Sequence, residues 1–255
     1  MQTGLAAAAA AMRGCRRALA HHGRALWEEA AGTAPIEPWR HYPERDVYDP
    51  RSHAQYFYHC HQQPGLARGA EHGHFHLFLR AEGMPIGVAP LLLPEVALPD
   101  VAVPPQAPPR KHGRRDEISH LVAISIDRAG EPIRLFTTNR WVTGETWYAA
   151  ADVTAMLDHF RLPGERLLDR WLAAMVQLFR ADIAALLRAR DVRLTGSRRN
   201  TRGDAFESRR LEITSSVEID LEARLAEIDR LIPEAAAAPL WAAPRLPRMA
   251  EGWGA

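Results

Sequence analysis

Residues 72–80 do most to constrain what this chain can fold into. Gly73, Phe75, Leu77 and Leu79 alternate there with His72, His74, His76, Phe78 and Arg80. A period of two belongs to a β-strand, with one set of side chains on each face. A lone strand is not stable in water, so this one needs neighbours. Residues 118–127 supply one, with Ile118, His120, Val122, Ile124 and Ile126 expected on a common face. Asp127-Arg128-Ala129-Gly130-Glu131 is a turn signal, and residues 132–139 return as the antiparallel partner. Residues 211–219 read as a last strand.

Helical patterns surround these strands. Residues 5–31 are rich in Ala, Leu and Arg and read as one N-terminal helix ending near Gly32, with Pro35 beyond it. Asp49-Pro50 looks like an N-cap followed by proline at the first helical position, which predicts a short helix over 51–62. A further short helix is expected over 149–160. The longest should open at Gly164 and run to Arg190, with Leu168, Trp171, Leu172, Met175, Leu178, Phe179 and Ile183 as its apolar stripe. Asp220 is placed to cap a final helix over 221–232. Residues 94–115 hold Pro94, Pro99, Pro104, Pro105, Pro108 and Pro109 and should form a long loop, while 233–255 reads as a loose tail. The expectation is an α+β protein, a small antiparallel sheet flanked by helices, in a single domain over 1–255.

Charge narrows the partners. Thirty-two basic residues stand against 31 acidic ones, a formal net charge of +1. That balance argues against nucleic acid or an anionic membrane as the main partner, since both select a dense positive field. No run of eighteen apolar residues occurs, and the alanines at 6–11 precede their arginines, the reverse of a secretory signal. A cytoplasmic protein is expected. Cys15 and Cys60 are too few for a disulfide framework. Nothing in the sequence sets the oligomeric state.

The histidines carry the chemistry. Seven of the twelve, His41, His53, His59, His61, His72, His74 and His76, fall between positions 41 and 76. On a strand, alternate side chains leave one face about 6.5–7 Å apart, close enough for two imidazoles to lean onto one ion. His74 and His76 are the expected pair, with His120 from the neighbouring strand as third ligand. Glu71, His72 and Glu145 are the candidate acid–base groups. If 51–62 is helical, His59 and His61 diverge by about 200° and cannot aim at one ion together. Nitrogen ligation without cysteine suits zinc, iron, copper or nickel and disfavours magnesium or calcium, with zinc or iron the expected divalent metal and an open position for a small-molecule substrate. The segment 137–148 mixes hydrogen-bonding and aromatic residues as a pocket wall does, with Asn139, Arg140, Trp141, Thr143 and Trp147 as substrate-binding candidates. The Trp39-Arg40-His41-Tyr42-Pro43 segment reads as a lid over the histidines or as a packed connector.

His72-Gly73-His74-Phe75-His76-Leu77-Phe78 resembles the signature of the histidine-triad nucleotide hydrolases, which implies His74 as the nucleophile on a nucleotide phosphate. Gly73 departs from that pattern, where the family prefers a bulky apolar residue. The His74/His76 pair also resembles the metal-binding HxH of cupins and alpha-type carbonic anhydrases. From His41-Tyr42-Pro43 through Glu71-His72-Gly73-His74-Phe75-His76 to Thr143-Gly144-Glu145-Thr146-Trp147, the chain looks like an uncharacterised bacterial domain family, a resemblance that implies no activity. Three functions follow as expectations: a metal-dependent enzyme acting on a small molecule, a non-catalytic metal-binding or accessory protein, and a histidine-triad-like nucleotide hydrolase.

Overall fold

The computed structural model describes residues 2–61, 71–90, 117–200 and 205–233. The proline-rich segment 94–115 and the tail beyond Pro233 lie outside the described residues. Six strands form one antiparallel sheet in simple sequence order: β1 (Tyr42–Tyr48), β2 (Ala54–His59), β3 (Glu71–Arg80), β4 (Ile118–Asp127), β5 (Pro132–Thr138) and β6 (Ile213–Glu218). The helices are α1 (Gln2–His22), α2 (Leu26–Ala31), α3 (Arg140–Thr143), α4 (Ala150–Met156), α5 (Leu167–Leu178), α6 (Arg180–Asn200) and α7 (Leu221–Leu231). The α+β class and the hairpin of β4 and β5 are as the sequence predicts. So is the Asp220 cap, whose side chain accepts the Ala223 N–H at 2.9 Å. No helix among the described residues is long and apolar enough to cross a membrane.

Three expected helices come out differently. The N-terminal helix is broken at Gly23, which takes φ +62° and restarts the chain as α2. The long helix is two, α5 and α6, because Phe179 leaves helical geometry at φ −109°. The helix expected over 51–62 is strand β2. Asp49 does accept nearby N–H groups, from Ser52 at 2.9 Å and Arg51 at 3.4 Å, but these close a turn and not a helix. His53, at φ +61°, then sends the chain into Tyr56-Phe57-Tyr58, a run of β-favouring aromatics.

One face of the sheet packs on the helices. Tyr56, Tyr58, Phe75, Leu77, Leu79, Val122, Ile124, Ile126 and Leu135 join Met12, Leu26, Trp171, Leu172 and Ile183 in a single buried core. Tyr56 reaches through it to donate to the buried Asp169 carboxylate on α5 at 2.7 Å. The other face carries Phe57, His59, His74, His76, Phe78 and Phe136. The register aligns Phe57 with His76, His59 with His74, and His76 with Ala123.

Two bulges decide which histidines reach that second face. In β3, Glu71 and Gly73 face consecutive residues of β4, so His72 is an extra residue. It turns to the helical side, stacks on Trp27 at 4.6 Å between centroids and meets the Tyr58 hydroxyl at 2.6 Å. Glu71 takes its place beside His74. In β4, Leu77 and Phe78 face Val122 and His120, which makes Leu121 the extra residue. Leu121 and Val122 both enter the core, and His120 turns to the histidine face. The expected common face of His120, Val122, Ile124 and Ile126 is thus split by one bulge.

Gly73 is required by this arrangement. A Cβ there would stand 2.3 Å from the Tyr58 hydroxyl and 2.5 Å from the His59 carbonyl oxygen. Gly73→Ala is expected to cost about 1–3 kcal/mol of stability, as overpacking does. Chemical denaturation of the variant measures it, and an unchanged midpoint would mean that the two strands separate more easily than this packing implies.

Candidate metal centre

His59 closes β2 and His61 follows two residues later. Both lean towards His74 in the neighbouring strand. His59 Nε2 and His74 Nε2 stand 2.7 Å apart, and the ring centroids of His61 and His74 are 5.0 Å apart. One donor nitrogen from each of the three lies within 4.8 Å of the others, and the group can hold a metal ion. Bonds of 2.0–2.1 Å in a tetrahedral site put ligand nitrogens about 3.3 Å apart, and the 2.7 Å between His59 and His74 lies near that value.

The charge state suits the role. Burial and the neighbouring His74 push His59 down to about 2. Burial, then His74, lowers His61 as well. Neutral imidazoles keep a lone pair for a cation.

His74 carries a further mark of a ligand. Its Nδ1 lies 2.7 Å from Glu71 Oε1. If that nitrogen donates to the carboxylate, the Nε2 lone pair is left facing His59 and His61, the carboxylate–histidine arrangement that orients metal-binding imidazoles. Glu71 is itself held by the Ser125 hydroxyl at 2.9 Å and the Arg134 guanidinium at 2.5 Å. Burial alone would raise its carboxyl. The hydrogen bonds from His74 and Ser125, with the Arg134 charge, outweigh that and hold it below its ordinary value.

Deeper in the sheet, His76 Nδ1 meets His120 Nε2 at 3.1 Å, and Thr138 Oγ1 stands 3.3 Å from His120 Nδ1. Burial drives His76 well below the usual imidazole range and takes His120 to about 3. Of the expected ligands, the structure therefore couples His76 to His120, while His74 turns its Nε2 to His59 and His61. The HxH rings of His74 and His76 are 4.8 Å apart at their centroids.

The other nominated residues fall in different surroundings. His72 lies on the opposite face, as above. Glu145 is buried and accepts the His120 N–H at 2.9 Å, and burial raises its carboxyl to about 7. Asn139 caps α3 and donates to the Ala205 carbonyl at 2.8 Å. Arg140 pairs with Glu207 at 2.8 Å, and Trp141 Nε1 donates to the Leu211 carbonyl at 3.0 Å. Thr143 donates to Glu145 at 3.2 Å. Trp147 packs on Phe206, with the Arg190 guanidinium 4.0 Å from its ring. These contacts tie the 137–148 segment to residues 205–211 as a packed corner. A cleft of about 850 Å³ opens elsewhere, between Asp49, Arg51, Ser52, Glu82, Asp158 and Arg161.

The Trp39–Pro43 segment does reach the histidines. His41 stacks on Phe57 at 3.7 Å between centroids and lies edge-on to His59 at 5.8 Å, while its Nδ1 meets Asp46 Oδ1 at 3.0 Å. Trp39 stacks on His61 at 4.3 Å.

A family model described as a domain of unknown function (DUF6969) matches residues 6–219, which is most of the chain. The chain belongs to the DUF6969 family. The matched part of this DUF6969 chain runs from α1 through β6 and includes every residue of the candidate centre. No curated protein and no solved structure matches it.

Proposed function

We propose that this protein is a metal-dependent enzyme acting on a small molecule, with zinc or iron held by His59, His61 and His74. The observation that carries the reading is the Glu71–His74 pair, with the Nε2 of His74 turned to His59. A divalent cation at this position supplies Lewis acidity to a substrate or to water. Three protein ligands leave a coordination position open, the pattern of catalytic and not structural sites. Zinc would direct the chemistry to hydrolysis, and iron to oxidation.

His41 is the residue best placed to move a proton. Asp46 accepts from its Nδ1, which leaves Nε2 as the basic nitrogen. Phe57 fixes the ring plane. The dyad replaces Glu71 and Glu145 in that role, because Glu71 is fully engaged by His74, Ser125 and Arg134, and Glu145 is buried beneath His120.

The engagement of both glutamates also favours a second reading, a metal-binding or accessory protein without turnover. The histidine-triad reading has less support, since an imidazole occupies the space before His74 Nε2 where a phosphate would be attacked. Zinc-loaded protein assayed with p-nitrophenyl acetate and with bis(p-nitrophenyl) phosphate separates these readings. His41→Ala is expected to lower the zinc-dependent rate by about 10²–10⁴-fold with zinc content unchanged. Stoichiometric zinc with no hydrolysis above the background of His74→Ala would support the accessory protein. Nucleotide cleavage without metal would support the third reading.

A further inference from the structure

We propose that Trp39 is a positioning residue for the metal centre, holding the His61 imidazole in its ligand orientation and forming the outer wall of the site. The inference rests on the metal-binding reading above and assigns a role to a residue outside the donor set.

Two independent features of Trp39 lead here. The first is its backbone. Trp39 has φ +67°, a region that bulky L-residues avoid and glycine enters freely. Strained non-glycine residues persist where the surroundings over-determine them, and they gather at functional sites. The second is its side chain. Trp39 is 66% exposed, so burial in the core is not what keeps a tryptophan at this position. Its indole instead lies on the His61 ring, 4.3 Å between centroids and only 15° from parallel.

The backbone closes the arrangement. The Trp39 N–H donates to the Cys60 carbonyl at 2.8 Å, which fastens the strained residue to the neighbour of His61 in the chain. His61 lies beyond the end of β2, and among the described residues no strand pairing fixes its backbone as it does for His59 and His74. The stacked indole supplies the missing constraint. A ring already held in place loses less freedom when it coordinates an ion, and residues that orient ligands in this way change affinity by about 10–100-fold.

Zinc titrations of the full chain test this, together with cobalt(II) spectra. Trp39→Ala is expected to weaken zinc binding about 10-fold or more. Trp39→Phe, which keeps a stacking ring, should recover most of that loss. Trp39→Gly separates positioning from stability. Glycine relieves the positive φ, so the unfolding temperature should not fall while zinc affinity does. In the wild type, cobalt should quench the emission that is absent from Trp39→Phe, because the indole lies on a ligand. Equal zinc affinity in wild type, Trp39→Ala and Trp39→Gly, or bound cobalt that leaves the Trp39 emission unchanged, would overturn the role of Trp39 and leave the metal centre standing. No zinc or cobalt binding in the wild type would overturn the metal centre itself, and the role of Trp39 with it.

Discussion

Acidification from pH 7 to pH 4 is expected to remove about 4 kcal/mol or more of folding stability, much of what a typical domain has. His59 and His120 are held neutral in the fold, at about 2 and about 3, against an ordinary 6.5. For a base with a lowered value, the folded state resists a proton that the unfolded chain accepts. Stability is therefore complete above about pH 6.5 and declines as pH falls below it. At pH 4 each of the two histidines costs about 3 kcal/mol. Glu145 acts in the opposite sense. Raised to about 7 from 4.5, it keeps a proton that the unfolded chain releases, and it returns about 3 kcal/mol over the same interval. His76, His61 and His72, all lowered chiefly by burial, add to the loss. Denaturant titrations at pH 7 and pH 4 measure the difference, and a double change of His59→Gln and His120→Gln should flatten it. A wild-type midpoint that stays constant between those pH values would show that the buried imidazoles do not control stability.

Removing the central ligand should abolish specific metal binding. His74→Ala takes away the donor that faces both His59 and His61, and zinc affinity is expected to fall by at least about 100-fold. Glu71→Gln tests the supporting carboxylate separately. It should weaken zinc about 10–100-fold, because an amide no longer favours the His74 tautomer that leaves Nε2 unprotonated. It also removes a carboxylate partner of Arg134, so its stability is measured alongside. Zinc isotherms for the two variants give the answer. Unchanged affinity in Glu71→Gln, with the variant folded, would remove the carboxylate from the account.

Much of the fold was legible in the residues. The alternation over 72–80, the turn at 127–131 and the Asp220 cap each report a local preference, and local preference decided those elements. The helix expected over 51–62 failed because Asp49-Pro50 signals a turn as well as a cap, and the aromatics at 56–58 follow the strand alternative. That error had a chemical consequence. On a helix His59 and His61 diverge, whereas in extended chain they share a side with His74. The two bulges left no trace in composition, since each is one extra residue in one strand. They exchange His72 for Glu71 and bring His120 onto the histidine face. The lid reading already pointed His41 towards the histidines, but its place beside His59 rests on tertiary proximity, because β1 reaches β3 by way of β2.

The most direct test is a cobalt(II) titration of the purified, metal-free full chain, read by absorption. Saturation at one ion per chain, with the intense visible bands of a four-coordinate nitrogen-rich site that vanish in a His59, His61 and His74 triple alanine variant, is the expected result. Non-saturating binding, or a spectrum that the triple variant reproduces, would contradict the centre.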